Sequence, residues 1–75
     1  MRRKPPKGRV ENQIRERRKE AGLTQQALAD QVGATRQTIV AIEQGKYAPS
    51  LELAFRIARA FEADFEAVFQ FDPKG

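Results

Sequence analysis

The amino-acid sequence predicts an all-α domain of five short helices. Apolar residues recur at helical spacing in several separate segments, each suited to a helix of roughly 6–12 residues. Residues that cap helix starts precede these segments, and glycines, which end helices at little conformational cost, follow them. The capping residues are Thr24, Thr35 and Ser50, and the glycines are Gly22, Gly33 and Gly45.

Composition restricts the class of protein. A chain of 75 residues makes one small domain with a single modest core. It contains no cysteine and no histidine, so disulfides are excluded and a reducing cytoplasm is expected. No apolar run approaches the ~20 residues that cross a membrane, and the basic start lacks the apolar stretch of a secretory signal. We therefore expect no membrane partner, no metal, no cofactor and no small-molecule ligand.

The net charge of +4 is unevenly distributed. Residues 1–9 carry five bases and no acid, whereas residues 10–75 carry nine bases and ten acids. Prolines and a glycine interrupt the basic start, so residues 1–8 are predicted to be a flexible arm. The folded domain should span residues 9–72 and leave 73–75 as a tail. Because the body is near neutral, bulk charge alone is a weak argument for a nucleic-acid partner.

Helix 1 is predicted from Asn12, a candidate N-cap, to residue 20 or 21, and Gly22 ends it. Its inward stripe contains Ile14 and Ala21, but also two arginines at positions 17 and 18. These arginines either lie along the surface with their charged ends in water or pair with a buried acid.

Glu43 is the acid best placed for such a pair, because it lies on the inward flank of helix 3. An arginine fork suits a carboxylate, and a buried pair fixes geometry more surely than it adds stability. We therefore favour a salt bridge between Arg18 and Glu43.

Residues 23–45 are predicted to form two short helices joined by a tight corner. Thr24 caps helix 2, Gly33 ends it, and Thr35 caps helix 3. Ile39 and Ile42 turn inward from helix 3. Two helices joined by a short turn that contains glycine fit the description of a helix-turn-helix, a DNA-binding unit. The apolar face of helix 2 consists of Leu28, Ala29 and Val32.

The C-terminal third is predicted to hold two more helices and an extended end. Pro49 excludes helix for the residue before it, and Ser50 caps helix 4. Asp64 caps a last short helix, and alternation over residues 69–72 predicts an extended segment. The predicted apolar face of helix 4 consists of Leu51, Ala54, Ile57, Ala58 and Phe61, and the last helix carries Phe65, Val68 and Phe69.

With its isoleucines inward, helix 3 presents polar residues to the outside. Glutamine can bond the edge of adenine and arginine the edge of guanine, which suits a helix in a DNA major groove. Val40 and Ala41 are apolar on this outer side, where a thymine methyl group would give them a contact. Either of them alone is more simply a tolerated surface residue, so the combination is the stronger signal. The predicted base-contacting residues are Thr35, Arg36, Gln37 and Ala41.

Residues that flank helix 3 are predicted to contact the DNA backbone. Gln25 follows the cap of helix 2, so its side chain and the free N–H groups there can meet a phosphate. Lys46 and Tyr47 lie just past helix 3. They either hold the backbone or serve as a solvated lysine and a residue packed on helix 4. The full predicted set is Gln25, Thr38, Gln44, Lys46 and Tyr47.

The basic arm offers further candidate contacts. Arms of this kind reach into the minor groove or along phosphates, and the equally weighted alternative is a solubilising tail. The candidate arm contacts are Arg2, Arg3, Lys4 and Lys7.

The phenylalanines predict a partner subunit. All five lie in the last third of the chain, where one small domain cannot easily bury them, so a second copy is the natural cover. They are Phe55, Phe61, Phe65, Phe69 and Phe71.

Several motifs together resemble the phage-repressor/Cro (XRE) helix-turn-helix family. They are Leu-Thr-Gln at 23–25, Leu-Ala at 28–29, Thr-Arg-Gln-Thr-Ile at 35–39, Ile-Glu-Gln-Gly-Lys-Tyr at 42–47 and Pro-Ser-Leu at 49–51. The resemblance covers about residues 12–69, and the ending at 65–71 is similar to a short homodimeric subgroup that includes the cytolysin-operon repressor.

This resemblance implies a five-helix, repressor-like domain with a small two-stranded β element. Residues 9–11 would pair with residues 69–72, and the segment at about 61–72 would form the dimer. The resemblance also implies the base-facing roles given above, a phosphate contact at Gln25 and a buried bridge between Arg18 and Glu43. Ala41 departs from the longer polar residue common at its site, so a contact there should be apolar or absent. The predicted dimer-interface residues are Val10, Phe61, Phe65, Phe69 and Phe71.

The sequence therefore predicts a homodimeric regulator that binds double-stranded DNA at a palindromic operator, with repression as the default. The rival is an antitoxin of a two-gene module that also regulates its own operon, with the phenylalanines covering a toxin. An enzyme is not expected, because histidine, cysteine, a glycine-rich phosphate loop and clustered carboxylates are all missing. Single-stranded RNA binding is less favoured, since no aromatic platform is evident.

Overall fold

A computed structural model describes residues 7–75 and contains five helices and one antiparallel pair of strands. This architecture confirms the predicted, mostly helical class with its short β element. The candidate arm contacts Arg2, Arg3 and Lys4 lie outside the described residues. No helix among those described is long and apolar enough to cross a membrane. The elements are β1 (Arg9–Asn12), α1 (Ile14–Glu20), α2 (Gln25–Val32), α3 (Arg36–Glu43), α4 (Leu51–Ala60), α5 (Phe65–Val68) and β2 (Phe69–Asp72).

The two strands join the start of the domain to its end. Strands β1 and β2 pair in antiparallel register, with Val10 opposite Phe71 and Asn12 opposite Phe69. Gly8 lies beneath the exposed Phe71 ring just before β1, and a side chain at position 8 would require that ring to shift. Residues far apart in sequence thereby form one continuous surface.

The core draws at least one side chain from every helix. Six large side chains are fully buried and lie together at the centre of the helices. Burying each contributes roughly 1.5–3 kcal/mol relative to exposure, so this cluster is the main source of stability. They are Ile14, Leu28, Ile39, Ile42, Ile57 and Val68.

Asn12 has a different role from the predicted one. It ends β1, and Gln13 is the cap residue of α1, which therefore begins later than expected. The Asn12 amide still acts at this junction, because its Oδ1 accepts from the Ile14 N–H at 3.1 Å. Its Nδ2 donates to the Ile42 carbonyl at 2.9 Å, which ties β1 to α3.

Other local predictions were wrong at helix ends, where sequence spacing determines least well which way a side chain points. Ala21 is exposed at the C-cap of α1, and Leu51 is 67% exposed at the start of α4. Leu53 packs against the core in place of Leu51. Asp64 stands before α5, but its side chain makes no capping hydrogen bond.

The phenylalanines divide into buried and exposed groups. Phe69 is only 5% exposed, so it fills the core of its own subunit and is not the interface side chain that the sequence suggested. Phe61 and Phe65 are half-buried, whereas Phe55 and Phe71 are 49% and 64% exposed. A single chain thus covers more of its aromatic surface than expected.

A largely buried ion pair between Arg18 and Glu43 holds α3 in place beside α1. Arg18 Nε donates to Glu43 Oε2 at 2.8 Å, and Arg18 Nη2 donates to Oε1 at 3.3 Å. The third nitrogen, Nη1, donates to the Leu23 carbonyl at 3.0 Å, just before α2. One guanidinium therefore holds the ends of three helices in a fixed arrangement.

We expect Glu43→Ala to lower the free energy of unfolding by ~3 kcal/mol or more, because it leaves the Arg18 guanidinium without its acid in a largely buried place. Urea denaturation followed by circular dichroism measures this change. Glu52→Ala is the matched control, since its pair with Arg56 has side chains 74% and 56% exposed. The control should cost under ~1 kcal/mol. Equal losses in the two variants would contradict a structural role for the buried pair.

Candidate nucleic-acid interface

The turn between α2 and α3 is built from local signals. Thr24 Oγ1 accepts from the Ala27 N–H at 3.0 Å and caps α2. Gly33 ends that helix with a φ of 74°, a left-handed conformation that glycine adopts without strain. The Ala34 N–H then donates to the Ala29 carbonyl at 2.9 Å and closes the corner. The predicted helix-turn-helix is therefore present.

The outer face of α3 carries side chains that are free to bind. Arg36, Gln37 and Gln44 are exposed, and within the described residues their side chains make no hydrogen bond or ion pair. Ile39 and Ile42 on the opposite face are buried, so they set which side of the helix faces outward. An exposed arginine and glutamine on a rigid helix can read base edges in a major groove.

The apolar part of this face has less free surface than the sequence suggested. Val40 and Ala41 are both half-buried, so part of each side chain is already covered by the domain. A contact between Ala41 and a thymine methyl group would use only the remaining surface.

Thr35 has two uses for its hydroxyl group. Its Oγ1 accepts from the Thr38 N–H at 3.2 Å as the cap of α3. The hydroxyl groups of Thr35 and Thr38 also lie 3.0 Å apart, and either can be the donor. The Thr35 proton is available to DNA only when Thr38 is the donor. Capping is therefore the primary role of Thr35, and its methyl group is the other surface that it offers to DNA.

Gln25 turns inward from the place where a phosphate contact was predicted. Its Nε2 donates to Glu43 Oε1 at 3.3 Å, and the residue is half-buried. The first N–H groups of a helix have no backbone acceptor within that helix, and Thr24 caps the one at Ala27, which leaves those of Gln25 and Gln26 for a phosphate. A phosphate there would meet the backbone first, and the Gln25 amide only after leaving Glu43.

The residues after α3 are accessible. Lys46 is exposed, and Tyr47 is 51% exposed beside the start of α4. The Lys46 N–H donates to the Ala41 carbonyl at 2.9 Å, which fixes the backbone just past the helix. Lys7, the one candidate arm contact among the described residues, is also exposed.

A basic groove lies beside α3, and its outer side is formed by residues of α1 that were not among the predicted DNA contacts. The groove has a volume of about 480 Å³ and runs from α3 to the outer side of α1. Arg15 and Lys19 line it from α1, and their spacing of four residues places them on one helix face. That spacing was visible in the sequence, but the position of this face beside α3 depends on the fold. The other lining residues are Arg18, Thr24, Gln25, Gln26, Arg36, Val40, Glu43 and Gln44.

A second surface is apolar, and we call it the apolar patch. Val10, Leu51, Phe55 and Phe71 are its exposed members, and the Phe55 and Phe65 rings are 4.9 Å apart between centroids. A groove of about 520 Å³ runs through the patch beside Phe65, Phe69 and Phe71. Exposed apolar surface of this kind typically marks a contact with another protein chain.

Comparisons with known proteins agree with this geometry. A family model described as helix-turn-helix, HTH_3, matches residues 14–68, which include all five helices. The chain is 59% identical over 63 residues to an uncharacterised HTH-type transcriptional regulator of Methanothermobacter thermautotrophicus, covering 83% of this chain and 91% of the relative. An uncharacterised HTH-type regulator of Bacillus subtilis is 47% identical over 60 residues, covering 80% of this chain and 91% of that protein.

A solved structure with the same fold is the DNA-binding domain of the P22 C2 repressor. Its TM-score is 0.68 at 28% identity, and the match covers 71% of this chain and 70% of that one. The predicted resemblance to the repressor family of helix-turn-helix proteins is therefore confirmed.

We expect Gln37→Ala to reduce discrimination between the preferred base pair and its alternatives by ~1–3 kcal/mol, because the variant loses the base-edge hydrogen bonds. Competition binding with duplexes that differ at one base pair measures this change. Gln31→Ala, an exposed glutamine on α2 outside the basic groove, is the matched control and should leave discrimination unchanged. Equal weakening of Gln37→Ala on selected and random duplexes would argue against base reading.

Proposed function

We propose that this chain, which belongs to the helix-turn-helix family HTH_3, represses transcription by binding a palindromic operator as a homodimer. The family is one of DNA-binding regulators and not of enzymes. The observation that carries the proposal is the outer face of α3, where Arg36 and Gln37 are exposed and form no side-chain bond with any of residues 7–75, on a helix whose other face is buried. We further propose that the protein acts in the cytoplasm, where bacterial and archaeal DNA lies.

The proposed DNA contacts follow the geometry of α3. Arg36 and Gln37 would bond base edges, while the Thr35 methyl group and Ala41 would make apolar contacts. Phosphates would meet residues on both sides of the helix and fix its register in the groove. The proposed phosphate contacts are Gln25, Thr38, Gln44, Lys46 and Tyr47.

The apolar patch supports the homodimer. A dimer with two-fold symmetry buries the same patch on both copies, so each exposed side chain finds apolar surface opposite. Such a dimer would present two α3 helices to half-sites about 34 Å apart on one face of DNA. Repression follows as the simplest outcome, since the proposed complex would block polymerase.

The same patch favours one other candidate, an antitoxin that also binds its operator. Its apolar side chains would then cover a toxin of different sequence. Analytical ultracentrifugation of the purified chain separates the two, because a stable homodimer supports the regulator. An aggregating monomer that becomes soluble with a second protein supports the antitoxin.

We expect Phe71→Ser to shift the chain from dimer toward monomer, because Phe71 is 64% exposed in the apolar patch. Leu51→Ser tests the same patch from α4 and should act in the same direction. The shift would be read as a fall in sedimentation coefficient and as weaker binding to a palindromic duplex. Gln31→Ser, an exposed change on α2, is the control. An unchanged dimer in both patch variants would overturn this interface.

The basic arm has its own test. Deleting residues 1–6 removes Arg2, Arg3 and Lys4 and leaves Gly8 beneath Phe71. We expect lower affinity and a smaller slope of log K against log salt. Each phosphate contact that forms releases about 0.9 counterions, so each contact that the deletion removes reduces the slope by about 0.9. A variant with Arg2, Arg3 and Lys4 changed to glutamine should match the deletion. An unchanged slope in either would reduce the arm to a solubilising tail.

A further inference from the structure

We infer that α1 provides a second set of DNA-backbone contacts, in which Arg15 and Lys19 hold a phosphodiester in the basic groove beside α3. This inference rests on the proposed function and adds to it a helix outside the helix-turn-helix unit. The occupant is the DNA backbone itself, which brings negative charge without sequence information.

The charge of the groove favours an anion. Four cations line it, and Glu43 is its one carboxylate. Arg18 donates a hydrogen bond to each of the two Glu43 oxygens, so the charge of the acid is balanced even when Gln25 leaves it for a phosphate. The acid is therefore neutralised within the protein, and the remaining cations are not.

Arg15 and Lys19 have no competing partner. Neither side chain makes an ion pair or hydrogen bond within residues 7–75, where Arg9, Arg18 and Arg56 are the only cations that do. Both are exposed, and their spacing of four residues aligns them along one face of α1. Two aligned, unpaired cations beside a groove can follow a phosphate backbone.

The position of the groove connects it to the proposed base-reading face. Arg36, Val40 and Gln44 of α3 line its inner side, and Thr24 and Gln25 lie at the start of α2. DNA that places a base edge at Arg36 would bring its own backbone to the mouth of this groove. The Arg18–Glu43 pair forms the floor and holds α1 at a fixed distance from α3. The same bridge thus positions the base-reading helix and this backbone contact.

Salt-dependent binding to a random-sequence duplex tests the inference, because phosphate contacts form without base recognition. We expect Arg15→Gln/Lys19→Gln to reduce the slope of log K against log salt by about 1.8 per bound subunit, from two cations at about 0.9 each. The charge-preserving variant Arg15→Lys/Lys19→Arg should keep the slope of the unmodified chain. That result separates a phosphate contact from a structural role of the two side chains.

The control removes two positive charges elsewhere. Arg59→Gln/Lys74→Gln changes exposed cations outside the groove and should leave the slope unchanged. An unchanged slope in the α1 variant, or an equal fall in the control, would overturn the inference. If the unmodified chain preferred no sequence, that result would count against base reading by α3. The salt slopes measured on the random duplex would still decide the role of α1.

Discussion

The contact between Arg18 and Glu43 is the constraint on which the interface depends. It joins α1 to α3 through two hydrogen bonds, and the same guanidinium reaches the carbonyl of Leu23 before α2. The side chains are 12% and 6% exposed, so breaking the pair would leave a charge with little water around it. Apolar packing alone would tolerate some rotation of a short helix such as α3. A bidentate pair does not, because both oxygens require one orientation.

The second constraint acts at the chain ends. The pairing of β1 with β2 brings Val10 beside Phe71, although the two residues lie at opposite ends of the sequence. Asn12 then connects the strands to α3, because its side-chain amide donates a hydrogen bond to the Ile42 carbonyl. The apolar patch and the outer face of α3 are therefore positioned by one connected set of contacts. A dimer formed through that patch would hold two recognition helices at a defined separation.

Features encoded within a few residues were predictable, whereas features set by the fold were predictable only where a side-chain pattern or the family resemblance pointed to them. Thr24 and Gly33 mark the ends of α2 because a cap and a left-handed turn are local properties. The Arg18–Glu43 pair was also accessible, since an arginine on an inward stripe needs an acid. Leu51 was wrongly assigned to the inward face, and Leu53 was not predicted to pack on the core, because the direction of a side chain is ambiguous in the first turn of a helix.

The same distinction explains the phenylalanines and the basic groove. Phe69 was taken for interface surface because composition does not show which aromatic side chain reaches the core. Arg15 and Lys19 carry no local signal in the sequence, because only the fold places their face of α1 beside α3. A near-neutral body gives little non-specific attraction to DNA, so binding must rely on a few well-placed cations. Cations next to the base-reading helix add affinity in the register where bases are read. Because these contacts also form on random DNA, they raise the affinity for every sequence, and the ratio of specific to non-specific binding depends on the base-reading residues of α3.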